Sequence, residues 1–209
     1  MFRFTPLLAI FLSGCGVSAR HGSDTAPTQP DLDFPVGHFS LMERNGRTIT
    51  EQDLRGSVWV VSFVFTRCTG PCPQVTATVA KLQAELNDVP GVKFVTITVD
   101  PGHDDMAKLR DYAKHFNADA DRWLFLTGDE ATIHKLMREQ FKQAIERKSD
   151  EDVKPGDEFG HSTRLLVVDK EGLIRGSFDG LQNEEYPESK EQFEANLSRL
   201  KDRVRQLAR

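Results

Sequence analysis

The chain has 209 residues, a formal net charge of −5, and 38% hydrophobic against 28% charged residues. The negative balance, with no basic stripe interleaved with aromatics, excludes a nucleic-acid binder. The length suits one domain with a sizeable core plus short extensions. No internal repeat is present. Of the three cysteines, Cys15 stands apart from Cys68 and Cys72.

Residues 1–14 read as a signal peptide: a basic start at Met1-Phe2-Arg3-Phe4, an apolar run from Pro6 to Leu12, and a small-residue processing pattern. The run is far short of the roughly 20 apolar residues that span a bilayer. Leu12-Ser13-Gly14-Cys15 resembles the lipobox of bacterial lipoprotein precursors. That resemblance implies that Cys15 becomes the lipid-modified first residue and ties the chain to a membrane of the bacterial cell envelope, facing the periplasm or the exterior. It also resolves the odd cysteine count, leaving Cys68 and Cys72 as thiols. A plain cleavable signal is the alternative. Residues 15–33, rich in Ser, Thr, Pro and Gly, read as a flexible tether with too little apolar surface to offset ordering entropy. Residues 34–209 form the predicted domain.

Within it, Phe39 to Glu43 and Arg47 to Ile49 flank Asn45-Gly46 as a small hairpin. Val58 to Phe65 is an apolar, β-branched and aromatic strand, followed by a helix with Val75, Val79, Leu82 and Leu86 on one face. Phe94 to Val99 is the next strand. Asp104 and Asp105 open a helix with Met106, Leu109, Tyr112, Ala113 and Phe116 on its apolar side. Trp123 to Leu126 is a third strand, and Thr127-Gly128-Asp129 starts a helix through about Gln140. A charged loop runs from Ala144 to Phe159. Leu165 to Val168 and Leu173 to Phe178 form a hairpin around Asp169-Lys170-Glu171-Gly172, and Phe193, Leu197, Leu200, Val204 and Leu207 mark a final helix. This order predicts an α/β fold: a thioredoxin-like sandwich, with a central mixed sheet, flanking helices and an N-terminal β-hairpin extension.

The chemistry concentrates where the first long strand meets its helix, at Arg67-Cys68-Thr69-Gly70-Pro71-Cys72-Pro73. Cys72 precedes a proline suited to the first helical position, so Cys72 is predicted to cap the helix. The helix dipole there favours thiolate, and Arg67 is expected to act in the same direction. The thiol pair can form a reversible disulfide or hold a soft metal. In the predicted sheet, His161 begins the strand antiparallel to the one ending near Phe65, which sets it beside the thiols. Two thiolates and an imidazole suit copper, whereas structural zinc wants a closed fourth ligand that is not evident. His21, His38, His103, His115 and His134 read as solvated.

Three motifs, Phe65-Thr66-Arg67-Cys68-Thr69-Gly70-Pro71-Cys72-Pro73, Thr98-Val99-Asp100-Pro101-Gly102-His103-Asp104 and His161-Ser162 before a hairpin, together resemble the Sco/SenC family from about Phe34 to Leu207. The resemblance implies a membrane-tethered metallochaperone that binds a copper ion through Cys68, Cys72 and His161 and assists assembly of the binuclear copper centre of cytochrome c oxidase. Asp100 matches the acidic residue of the family's Asp-Pro motif and is expected to support the site. The partners implied are a copper donor protein, the copper-receiving subunit of the oxidase, a thiol reductant, and the membrane. Thr69-Gly70-Pro71, Asp105-Met106 and Gly160 depart from the family's common residues without removing a ligand. The main alternative is a thiol-disulfide oxidoreductase that reduces the oxidase cysteines or acts in redox signalling, with Cys68 attacking and Cys72 resolving. A peroxiredoxin lacks its proline and threonine here, at Val61 and Phe65. A zinc-stabilised module leaves the Asp100 motif unexplained.

Overall fold

The computed structural model describes residues 1, 32–149, 153–183 and 189–209. Apart from Met1, the predicted signal peptide, Cys15 and the tether through residue 31 lie outside the described residues. In chain order the elements are β1 (Phe34–Pro35), β2 (Ser40–Glu43), β3 (Thr48–Thr50), a 3-10 turn (Glu51–Leu54), β4 (Val58–Val64), α1 (Cys72–Glu85), β5 (Val92–Thr98), α2 (Met106–His115) and β6 (Trp123–Thr127). They continue with α3 (Glu130–Lys135), a π-helical turn (Leu136–Gln140), β7 (Ile145–Arg147), β8 (Phe159–His161), β9 (Arg164–Val168), β10 (Leu173–Asp179) and α4 (Ser189–Ala208).

β4 is buried at all seven positions, as a strand covered on both faces must be. Its pleat divides the core in two. Val58 and Val60 join Val75, Val79 and Leu82 of α1, Leu86 just past its end, and Leu200 and Val204 of α4. Trp59, Val61 and Phe63 join Leu136, Met137 and Phe141 on the opposite face. The eight-stranded sheet runs β1-β10-β9-β4-β5-β6-β2-β3. β4, β5 and β6 are parallel, β9 runs antiparallel to β4, and β10 antiparallel to β9. This is the predicted thioredoxin-like sandwich, with the β2–β3 hairpin added at β6. β4 and β5 pair in register from Val58↔Val92 to Val64↔Thr98, so both end at one level. There the cysteine loop and the Asp100 turn emerge, and β9 begins.

Two expectations need correction. The segment from Ala144 to Phe159 is not loop throughout: β7 pairs with β8 as Ile145↔His161, Glu146↔Gly160 and Arg147↔Phe159, a ribbon separate from the main sheet. Its anchors, Ile145 and Phe159, are buried in the core, but three-residue strands are too short to reveal a period of two. The helix after Asp129 is also not uniform. The Phe141 N–H reaches the Leu136 carbonyl at 3.1 Å, a five-residue step that accommodates one extra residue. Phe141 then packs edge-on against Trp59 and Phe63, with centroids 6.2 and 5.3 Å apart.

Candidate thiol and metal site

Helix α1 starts one residue earlier than the sequence predicts. Pro71 is the N-cap, at φ −73° and ψ −26°, and Cys72 is the first helical residue. Pro73 costs no hydrogen bond there, because first-turn N–H groups have no partner within the helix. The turn is steadied by the Thr76 hydroxyl, which donates to the Cys72 carbonyl at 2.8 Å. With that proton committed, Tyr112 donates to Thr76 Oγ1 at 2.9 Å.

Cys68 and Cys72 are both free thiols, 8% and 1% exposed. The Cys68 thiol is pulled down to about 6, chiefly because Cys72 S–H donates to its sulfur, helped by the backbone N–H groups of Cys72 and Gly70 and opposed by burial and by Asp157. Cys72 is correspondingly pushed up, first by giving its proton to Cys68 and then by burial. The two opposite shifts favour ionisation at Cys68, with the proton shared by the pair held on Cys72. Arg67 is not the cause, contrary to expectation: its guanidinium is engaged by Asp100 and Glu158.

His161 is set against Cys72, with Nε2 3.3 Å from Sγ. Its Nδ1 lies 3.0 Å from the Ser162 carbonyl oxygen. A carbonyl only accepts, so Nδ1 carries the proton and Nε2 turns its lone pair to the sulfur. Burial lowers the imidazole's pKa, with the Ser162 contact acting the other way. The neutral ring packs edge-on to Phe65 at 5.8 Å. Cys72 thus has one proton and two acceptors, Cys68 and His161. Cys68 and His161 also line a cavity of about 420 Å³, together with Thr69, Gly70, Pro71, Gly156 and Phe159.

The predicted set is thus linked through Cys72, by its separate contacts with Cys68 and His161. Among the described residues, no three His, Cys, Asp or Glu side chains form a ready-made metal cluster. The donors nevertheless fit a soft ion: two sulfurs, and an imidazole whose free nitrogen faces that of Cys72. Asp100 lies one shell out, 2% exposed, and reaches the cysteine loop through Arg67 Nε at 2.8 Å.

Sequence reasoning missed Asp104. Asp105 alone caps α2, accepting the Lys108 N–H at 2.9 Å. Asp104 turns inward, fully buried, and accepts from Thr66 N at 2.9 Å, Thr66 Oγ1 at 2.5 Å and Thr98 Oγ1 at 2.5 Å. It roots the residue two before Cys68 in the ends of β4 and β5. His134 was also misread as solvated: its Nε2 is 2.8 Å from the Val99 carbonyl oxygen, and its ring packs on Phe159.

A family model described as SCO1/SenC matches residues 28–192. The chain belongs to the SCO1/SenC family. A SCO1 protein homolog of Bacillus subtilis (strain 168) is 26% identical over 182 residues, 86% of this chain and 88% of its own length. The crystal structure of a SCO1/SenC family lipoprotein from Bacillus anthracis str. Ames is similar at a TM-score of 0.72 and 25% identity, over 88% of this chain and 100% of that one. BsSco, described as having a disulfide switch and as a member of the Sco family of cytochrome c oxidase assembly proteins, is similar at 0.63 and 26% identity, over 82% and 96%. Copper-bound ScoI of Bradyrhizobium japonicum shares the fold at 0.58 and 22% identity, over 78% and 99%.

Proposed function

We propose that this SCO1/SenC protein is a copper metallochaperone, tethered to a cell-envelope membrane through lipid on Cys15. It takes copper from a donor protein and passes it to the copper-receiving subunit of cytochrome c oxidase during assembly of the binuclear centre. The ligands are Cys68, Cys72 and His161. The observation that carries this reading is the His161 Nε2 lone pair held 3.3 Å from Cys72 Sγ, with Nδ1 tied to the Ser162 carbonyl. Support comes from the oxidase-assembly description of BsSco and the copper bound to a protein of the same fold. Two of the three ligands, Cys68 and His161, line the cavity, which leaves room for a target donor to enter before copper departs.

A second reading, thiol-disulfide reduction of the target, draws on the Cys68 thiol lying at about 6 and lining the cavity. In it the Cys68 thiolate attacks a target disulfide and displaces one target thiolate, forming a mixed disulfide. Cys72 then loses its proton and attacks Cys68, releasing the second target thiolate. Two electrons pass to the target, and Cys68–Cys72 becomes the disulfide until an external thiol reductant restores it.

Mixing the reduced chain with an oxidase copper domain, copper-loaded against the reduced domain in one arm and copper-free against the oxidised domain in the other, separates the readings. Copper appearing on the reduced domain supports the chaperone. Copper staying on the chain against the reduced domain, while the copper-free reduced chain gives the oxidised domain two thiols per chain, supports the reductase and removes the chaperone.

A further inference from the structure

Among the described residues, the strand that carries His161 lies outside the main sheet, paired only with β7 in its own ribbon. The β4–β9 ladder brings this segment near the thiols, but its register ends at Val61↔Leu166 and does not by itself fix the distance from the imidazole to the sulfurs. A line of polar contacts crosses between the two parts. Arg67 Nε and Nη2 each lie 2.8 Å from Asp100 Oδ2, and Nη1 lies 2.7 Å from Glu158 Oε1. The Glu158 carboxylate accepts the Gly156 N–H at 3.1 Å, and the Gly156 carbonyl accepts the Thr69 N–H at 3.2 Å. Gly156, at φ +90°, comes so close that a Cβ would lie 2.6 Å from Thr69 Cγ2 and 2.8 Å from the Arg67 carbonyl oxygen. At the far end, Asp100 is anchored by its own N–H on Thr98 Oγ1 at 3.0 Å, at the end of β5.

We propose that Asp100, Arg67 and Glu158 form a clamp that presses the His161-bearing segment onto the Cys68–Cys72 loop and so governs how long copper stays in the site. None of the three touches the metal; they are positioning residues. The copper consequence rests on the chaperone reading, whereas the clamp itself does not. Arginine suits the task because its planar fork serves two carboxylates on different sides at once, which a lysine ammonium on a single flexible stem does not reproduce. Glu158 is three residues before His161 and one before Phe159, whose ring packs edge-on to Phe65 at 5.5 Å. Pulling on Glu158 therefore pulls on the ribbon that holds the imidazole. Thr69, two residues past Arg67, receives the second contact, so the cysteine loop is gripped on both sides of Cys68.

Glu158→Gln is the test, since it keeps size and removes the charge that faces Arg67. In the metal-free full chain, the clamp predicts that carbethoxylation of His161 by diethyl pyrocarbonate, followed by peptide mass spectrometry, runs several-fold faster in the variant. Exposed His115 serves as the internal control and should be unchanged. In the copper-loaded chain, copper loss to a chelator should be about 10-fold faster, the size expected for an outer-shell partner. Within a His161→Ala background, Glu158→Gln should change that loss less than twofold, because no imidazole remains to be positioned. Arg67→Gln should act in the same direction, and the double variant should be no faster than the faster single one. Unchanged His161 modification in a folded Glu158→Gln chain overturns the clamp. Equal acceleration of copper loss with and without His161 also overturns it, reducing the network to a general stabiliser. Faster His161 modification in a chain that binds no copper at all would keep the clamp and remove the copper reading.

Discussion

Cys72→Ala gives a sharp test of the electrostatics of the thiol pair. In the wild type the largest influence lowering Cys68 is the Cys72 S–H, with the backbone N–H groups of Cys72 and Gly70 next in strength and burial opposing them. Alanine removes the S–H donor and leaves the backbone donors and the burial, so the Cys68 pKa must climb from about 6 toward the ordinary thiol value of about 8.5. At pH 7 the thiolate fraction would fall from about nine tenths to as little as about 3%, roughly a 30-fold loss. The rate at one pH would understate this change. A thiolate of higher pKa is the better nucleophile, and a Brønsted slope of about 0.4–0.5 over 2.5 units returns about tenfold of the loss. The reading should therefore be the midpoint of a pH profile: iodoacetamide alkylation between pH 4 and 10, with Cys68 resolved by fragmentation of its tryptic peptide. A midpoint near 6 in the wild type and at least one unit higher in Cys72→Ala is expected. A midpoint that stays near 6 in the variant would show that the backbone donors suffice, and the shared-proton description would be wrong.

Three further outcomes are expected. Asp104→Ala orphans the half-buried Thr66 N–H and hydroxyl and the buried Thr98 hydroxyl; urea unfolding should show a loss of about 3 kcal/mol, and a loss under 1 kcal/mol would contradict the account. Gly156→Ala meets the Arg67 carbonyl in a backbone conformation that favours glycine; it should cost about 2 kcal/mol in the same assay, with no cost meaning that the close approach is not real. Cys15→Ser should move the chain from the membrane to the soluble fraction of cells, and unchanged membrane recovery would remove the lipid anchor.

Much of the fold was legible because its period is local. The four-residue face of α1, the continuous apolar run of β4 and the β9–β10 hairpin need only neighbours in sequence to be read. The position of His161 was legible for a topological reason: an antiparallel β9 must begin where β4 ends. Contacts spanning long distances in sequence left no such trace. Asp104 looks like a helix opener beside Asp105, and only its partners at Thr66 and Thr98 reveal a buried carboxylate. Arg67 reads as a charge beside a thiol until Glu158, remote in sequence, claims it. The β7–β8 ribbon hid inside a charged segment because Glu146 and Arg147 face outward while Ile145 and Phe159 hold it down.

The central claim is that Cys68, Cys72 and His161 together hold one copper ion. Copper titration of the reduced chain, followed by thiolate-to-metal charge-transfer absorption, measures it most directly when wild type is compared with Cys68→Ser, Cys72→Ser and His161→Ala. The account predicts saturation at one copper per chain in the wild type, loss of the band in either serine variant, and a weakened, shifted band without His161. An undiminished band in either serine variant, or identical titrations with and without His161, would contradict it.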